Sequence, residues 1–323
     1  MNVIRIHETG GPEVMKLESG TVTEPGPGEI RLRHTAIGLN YIDTYHRSGL
    51  YPVPLPSGLG LEAAGVVEAV GEGVEHLKTG ERVAYGNGPL GAYAEVRVMP
   101  ANRVTRIPET VADDTAAAMM LKGMTVRYLL KETYAVQPGD TVLIHAAAGG
   151  VGSIAGQWAK ALGATVIGTA GSPEKCELAR AHGYDHCIDY SREDVAARVR
   201  ELTDGTGVPV VYDGVGRATL EASLDSLRPR GLLVSFGNAS GPVTGFSLGT
   251  LASKGSLYVT RPTLGTHVAT DEALQANARD VIDIVASGKV RIDVAQRFPL
   301  GEAAEAHRAL EARRTTGSTV LVP

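Results

Sequence analysis

Apolar residues in this chain change their spacing twice. Up to about residue 120 they fall in short β-favouring runs, at 3–7, 29–36, 65–70, 82–85 and 92–98. Glycine and proline clusters at 24–28, 52–60 and 86–91 separate these runs. Short strands punctuated in this way predict a small barrel or partly open sandwich. Residues 112–131 are small and apolar without proline, and read as a helix. Beyond them, apolar runs at 141–144, 165–169, 187–190, 208–213, 232–236 and 256–260 alternate with helical spacing. Six strands with helices between them predict a doubly wound α/β sheet.

The helices carry their own boundary signals. Val151, Ile154, Ala155, Trp158, Ala159 and Leu162 lie on one face, and Gly163 closes that helix. Ser172-Pro173 opens a helix that ends near Gly183. Ser191 with Asp194 reads as a capping box ahead of Val195, Val199 and Leu202. Leu220, Leu224 and Leu227 mark another helix. In the tail, Leu274, Ala278, Val281, Ile282 and Val285 form a helical face stopped by Gly288, and Ala303, His307 and Leu310 a second, before a strand at 319–322. This tail lacks a nucleotide signal, and its economical place is back in the first domain.

The chain is organised around residues 141–171. Ala147-Ala148-Gly149-Gly150-Val151-Gly152 follows a strand and opens a helix, with the spacing of G-x-G-x-x-G and alanine for its first glycine. Glycines allow close approach of a diphosphate, and the free N–H groups of the helix start point at it. The next strand ends Gly168-Thr169-Ala170-Gly171-Ser172 without the acid that accepts an NAD ribose hydroxyl. Lys175 follows one turn into the next helix. A cation and no carboxylate suit a 2′-phosphate, which favours NADPH; from spacing alone Lys175 reads equally as an exposed helix lysine.

Composition narrows the partners. The 323 residues suggest about two domains, with a net charge of −5 and so no basic footprint for nucleic acid. Two cysteines, Cys176 and Cys187, make neither a disulfide framework nor a zinc pattern, which points to a reducing, cytoplasmic setting and inert thiols. The N-terminus lacks an apolar core of signal-peptide length, and the uncharged run at 231–253 is broken by glycines and a proline, so no membrane span is expected.

Seven stretches carry a likeness to a known family: residues 7–17 (HETGGPEVMKL), 36–51 (AIGLNYIDTYHRSGLY), 56–67 (PSGLGLEAAGVV), 121–130, 145–163, 211–216 and 255–262. The chain resembles the medium-chain dehydrogenase/reductase superfamily, and within it the ζ-crystallin-like quinone oxidoreductases. The resemblance implies a GroES-like substrate domain from residues 1–122 and 263–323, and a Rossmann NADPH-binding domain at 123–262. Zinc alcohol dehydrogenases place a cysteine where this chain has Asn40, and a histidine within the motif that here reads Gly60-Leu61-Glu62. They also carry a four-cysteine loop, whereas this chain has no cysteine before Cys176. Zinc independence is therefore expected, and the carbonyl-polarising role falls elsewhere.

Hydride transfer to a quinone needs a close nicotinamide, exclusion of water, and donors or positive charge facing the quinone oxygens. The resemblance implies that Asn40, Asp43, Tyr45 and Arg261 line the pocket, the first three on a loop and Arg261 just after the sixth strand. It implies cofactor contacts from Asn40, Thr125, Ala148, Gly149, Gly150, Val151, Gly171, Ser172, Lys175, Tyr190, Phe236, Gly237, Asn238 and Arg313, and no metal. It also implies a homodimer, through an edge strand from Ser256 to Thr260. The leading expectation is an NADPH:quinone oxidoreductase. A reductase of α,β-unsaturated carbonyls shares the cofactor and fold, and an NADPH-regulated RNA-binding protein is the non-enzymatic alternative, against which the acidic balance argues.

Overall fold

The structure is a computed structural model that describes residues 1–323. The chain divides into two compact units: residues 1–124, 268–288 and 292–323, and residues 125–267 with 289–291. Against the sequence-based boundaries at 122/123 and 262/263, the divisions fall two and five residues later, and a three-residue segment near 290 belongs with the second unit.

The first unit is β-rich. A seven-stranded sheet runs in the order Val294–Pro299, Ser318–Val322, Glu29–Leu39, Ala63–Val70, Arg82–Tyr85 and Thr105–Arg106, with Val96–Pro100 also paired to Glu29–Leu39. Lys16–Ser19, Asn2–Ile6 and Ser57–Gly58 form a small antiparallel sheet. Ile30, Leu32, Ile37, Ala63, Val67, Val83 and Leu321 fill one core between these elements. The C-terminal strand pairs antiparallel with the long one, Thr319 opposite Leu39 and Leu321 opposite Ile37.

The second unit holds a six-stranded parallel sheet in the order His186–Asp189, Thr165–Ala170, Thr141–Ile144, Val208–Asp213, Leu227–Ser235 and Tyr258–Thr260. Order reverses beside the Thr141–Ile144 strand, which makes the switch point where α/β sheets bind ligands at the carboxyl ends of their strands. Val142, Leu143, Val166, Ile167, Val210 and Val211 are fully buried, as strands covered on both faces require.

Several expectations change in detail. Residues 40–45 are no loop: Tyr41–Ser48 is a helix, with Asn40 at its N-cap and Asp43 in its first turn. Ser191 does not cap the next helix. Asp194 does, accepting from Ala197 N–H at 2.8 Å, because Ser191 instead gives its hydroxyl to Asp189 at 2.6 Å. The sixth strand begins at Tyr258, since Gly255 and Ser256 hold positive φ of 113° and 56° and cannot extend the ladder. The 112–131 helix runs as Asp113–Tyr128 and then widens to a π-turn over Leu129–Thr133. No helix is long and apolar enough to cross a membrane.

Candidate functional site

The glycine turn of the second unit is built for close backbone approach. Ala146 takes φ of +55°, and Gly149 N–H closes the turn on Ala146 O at 2.9 Å. Gly149 then stands at the N-cap of helix Gly150–Ala161, where it has no side chain to satisfy the first helical N–H groups. No side chain caps those donors, and they carry the positive end of the helix dipole, which suits an anion. A Cβ on Gly152 would sit 2.3 Å from Ala146 O, so that position admits glycine alone. Tyr184, which sequence reasoning passed over, packs where Cβ atoms of Gly156 and Gly168 would lie and donates its hydroxyl to Gly152 O at 2.7 Å. Two glycines outside any motif were its only signal.

The next strand delivers Gly171 and Ser172. Ser172 caps the helix Pro173–Ala181, its Oγ accepting from Lys175 N–H at 3.3 Å. The Tyr190 hydroxyl lies over Gly171, only 2.5 Å from where a Cβ would project. Lys175 and Tyr190 are thus anchored on the two strand ends that neighbour each other, Ala170 opposite Asp189. Glu174, in the same first turn, carries a carboxyl held below its ordinary range, chiefly by a hydrogen bond from Ser172. The strand itself has no terminal acid, but an acid stands just past it.

A buried polar network braces the ends of three strands. Asp213 Oδ1 accepts from Val215 and Gly216 N–H at 2.8 and 3.0 Å, and its Oδ2 from the Thr219 and Ser223 hydroxyls, both at 2.7 Å. His145 bridges Ser223 Oγ at 3.0 Å and Thr169 Oγ1 at 2.9 Å. Burial holds the His145 pKa below its usual value, so the neutral ring joins these loops. Further along, a Cβ on Gly237 would lie 2.2 Å from Gly214 O. Arg261 grips the same loop, with Nη1 donating to Ser235 O at 3.0 Å and Gly237 O at 2.9 Å. Asn238 completes the set with its amide turned to accept from Arg261 Nη2 at 3.0 Å. Phe236 N–H is spent on Asp213 O at 2.8 Å.

In the first unit, the helix Tyr41–Ser48 fixes the other candidates. Asp43 is wholly buried, and its Oδ2 accepts from Asn40 N–H and from the Tyr93 hydroxyl, both at 2.9 Å. Desolvation raises the Asp43 pKa from 3.8 to about 7. The Tyr93 hydroxyl also meets His307 Nε2 at 3.0 Å, and Arg47 joins His307 Nδ1 to the Glu311 carboxylate. Tyr45 is buried edge-on against Tyr51, with ring centroids 5.2 Å apart. Asn40 Nδ2 donates to Glu62 Oε2 at 2.7 Å. Glu62 and its partner Lys122, joined at 3.0 Å, were not among the residues expected from sequence. Of the remaining candidates, Thr125 belongs to the second unit and Arg313 to the first, where it follows helix Ala303–Glu311 with φ of +57°.

The chain is similar to known proteins along its whole length. The alcohol dehydrogenase GroES-like domain family matches residues 26–109, and the zinc-binding dehydrogenase family matches residues 150–287. A quinone oxidoreductase of Pseudomonas aeruginosa is 60% identical over 97% of both chains. A 2-haloacrylate reductase of a Burkholderia species is 48% identical over 98% of each. The crystal structure of Escherichia coli quinone oxidoreductase complexed with NADPH superimposes with a TM-score of 0.98, at 51% identity and full coverage of both chains. With the nucleotide-binding switch point, the GroES-like unit and this identity along its whole length, the chain belongs to the medium-chain dehydrogenase/reductase superfamily, in its ζ-crystallin-like quinone oxidoreductase branch.

Proposed function

We propose that this protein is an NADPH:quinone oxidoreductase that works without zinc. The observation that carries the reading is the uncapped glycine start of helix Gly150–Ala161, whose free donors and Cβ-less turn fit a dinucleotide diphosphate. Ser172, Lys175 and Tyr190 would hold the 2′-phosphate end, and Gly237 with Asn238 the far side of the crevice. When bound, NADPH supplies the hydride. The protein's part is to orient the acceptor, keep water from it and meet the charge that develops on its oxygen. Asn40 and Tyr45 are the acceptor-facing candidates in the first unit; Asp43, in the first turn of the helix, holds Asn40 in place through its backbone N–H, and Tyr45 packs edge-on against Tyr51. Arg261 supports the Ser235–Gly237 backbone and brings positive charge to that loop.

The donor set argues for metal independence. A catalytic zinc takes thiolate, imidazole or carboxylate ligands. Here Asn40 offers an amide, Leu61 nothing, and the Glu62 oxygens already accept from Asn40 Nδ2, Leu121 N–H and Lys122 Nζ.

The edge strand Tyr258–Thr260 pairs on one side only, and Tyr258 is 60% exposed, which supports a homodimer joined along this edge. The free thiols Cys176 and Cys187 suit a cytoplasmic location. The Burkholderia relative's name favours one second reading, reduction of an activated alkene by the same hydride route. Steady-state NADPH oxidation with 1,4-benzoquinone, compared with 2-chloroacrylate, tests both. Faster turnover of the quinone is expected, and turnover of the acrylate alone would replace the reading.

A further inference from the structure

A buried ion pair lies next to Asn40. Glu62 is 0% exposed and Lys122 only 6%, with Nζ and Oε2 3.0 Å apart. The surroundings are shaped to keep the carboxylate there. Leu121 N–H donates to Oε1 at 2.8 Å and Asn40 Nδ2 to Oε2 at 2.7 Å. Glycine at two flanking positions makes room: a Cβ on Gly38 would lie 2.3 Å from Glu62 Oε2, and one on Gly86 2.4 Å from Leu121 N. Removing two charges from water is costly, and an apolar pair of similar volume often serves stability as well or better. A pair retained in this form, beside the N-cap Asn40, is better explained by what its cation can do.

An ammonium carries three hydrogens, and Lys122 directs one of them to Glu62, leaving two for another acceptor. The carboxylate is fully engaged from three sides, so it anchors the ammonium and fixes its direction. In a site from which water is excluded, a preorganised cation stabilises a developing oxyanion far more than it would in water.

We propose that Lys122 is a catalytic residue that receives the oxyanion of the reduced acceptor, with Glu62 as its positioning residue. The inference rests on the quinone reductase reading above. With NADPH bound, hydride leaving the C–H bond of its reduced ring would form an O–H bond at one quinone oxygen and leave NADP⁺, while the ring electrons shift and the π pair of the opposite carbonyl passes to its own oxygen, giving the hydroquinone monoanion. Lys122 Nζ hydrogen-bonds to that anion and keeps its own proton. A proton from solvent then completes the hydroquinone.

The test uses the double variant Lys122→Met/Glu62→Gln, which removes both charges together and so leaves no unpaired buried ion. Asn40 can turn its amide to match the new partner. The variant should fold, bind NADPH as the parent does, and lose at least ten-fold in kcat with 1,4-benzoquinone. The loss should be larger with the less electrophilic 2-methyl-1,4-naphthoquinone, because more charge reaches oxygen before the barrier; a purely structural pair would lower both rates alike. A second readout needs no turnover. 4-Nitrophenol titrated into the parent–NADP⁺ complex should ionise at lower pH than in solution, and the double variant should lose that shift. Lys122→Arg, which keeps a cation, should retain part of both effects. Should the double variant not fold, Lys122→Gln is read in its place, with Glu62 keeping its Asn40 and Leu121 donors. A variant with unchanged kcat for both quinones and an unchanged nitrophenol titration would overturn the proposal. Should the parent itself reduce neither quinone, the function reading fails, and the nitrophenol titration still decides the role of Lys122.

Discussion

Nη1 of Arg47 lies 3.1 Å from Nδ1 of His307, and this contact sets the direction of a chain of buried hydrogen bonds. A guanidinium only donates, so Nδ1 accepts and the ring proton sits on Nε2. Nε2–H then donates to the Tyr93 oxygen at 3.0 Å, and Tyr93 gives its own proton to Asp43 Oδ2 at 2.9 Å. The chain runs from the C-terminal helix to the first turn of helix Tyr41–Ser48, and it needs a neutral histidine. Burial, with Arg47 beside it, lowers the His307 pKa to about 3.

The chain makes stability depend on pH in a set direction. The folded His307 pKa lies below its unfolded value of 6.5, so its contribution is complete above that pH and is lost as pH falls toward about 3. Asp43 works oppositely: its pKa is raised from 3.8 to about 7, so its protonated form favours folding and that contribution fades as pH rises through this window. His307→Gln should cost about 1–3 kcal/mol near pH 8, the range for breaking a buried hydrogen bond. Between pH 6.5 and 4 it should also flatten the loss of stability by up to ~1.4 kcal/mol per pH unit, the slope of one proton. Urea titrations across this range measure both effects.

Lys175→Ala should weaken NADPH binding by roughly 10–100-fold, the value of a charge-assisted hydrogen bond, and leave NADH nearly unchanged. Glu174→Ala should leave NADPH affinity equal or tighter, because its carboxylate repels a 2′-phosphate from the same turn. Fluorescence titrations with the two coenzymes decide it, and an unaltered preference in Lys175→Ala would remove that residue from the phosphate site.

Gly152→Ala should be the most damaging single change in the glycine turn. Its Cβ meets the Ala146 carbonyl at 2.3 Å and the Ala147 carbonyl at 2.8 Å, both backbone atoms that cannot swing aside. A cost of about 1–3 kcal/mol is expected, with coenzyme binding lost or much reduced. Gly149→Ala faces only Ala146 O at 3.2 Å and should unfold within a few degrees of the parent. Thermal unfolding with and without NADPH separates the two.

If the proposed edge-strand homodimer forms, Val259→Pro, which removes a backbone donor from that exposed strand, should leave a monomer at micromolar concentration. Light scattering reads the mass directly, and a parent protein that is already monomeric would dispose of the edge-strand dimer.

Much of the nucleotide-binding unit is legible in the chain. Thr141–Ile144 and Val208–Asp213 begin and end where their apolar runs do, because strands buried on both faces must be apolar throughout. Residues 40–43 show why the rest was harder. Asn40 followed three positions later by Asp43 is itself a helix-start signal, but the short helix after it carries His46 and Arg47 and lacks a long apolar face. Ser191 misled for the converse reason: it has the right residue type and spacing, yet the nearer Asp189 captures its hydroxyl. Contacts such as Tyr93 with His307, 214 residues apart, or Glu62 with Lys122, 60 apart, leave no periodic trace. Strand Val294–Pro299, with Gln296 and Arg297 in it, is a sheet edge of alternating exposure that looks like a linker in sequence.

If the proposed function holds, this chain reduces quinones at the expense of NADPH with no metal ion. The most direct measurement is the rate of NADPH oxidation with 1,4-benzoquinone after exhaustive dialysis against a zinc chelator, with metal content determined on the same sample. Full activity in zinc-free protein is the predicted result. Activity that disappears with the metal and returns on adding zinc would show a zinc enzyme, and an absence of NADPH turnover before dialysis would rule out quinone reduction by this chain.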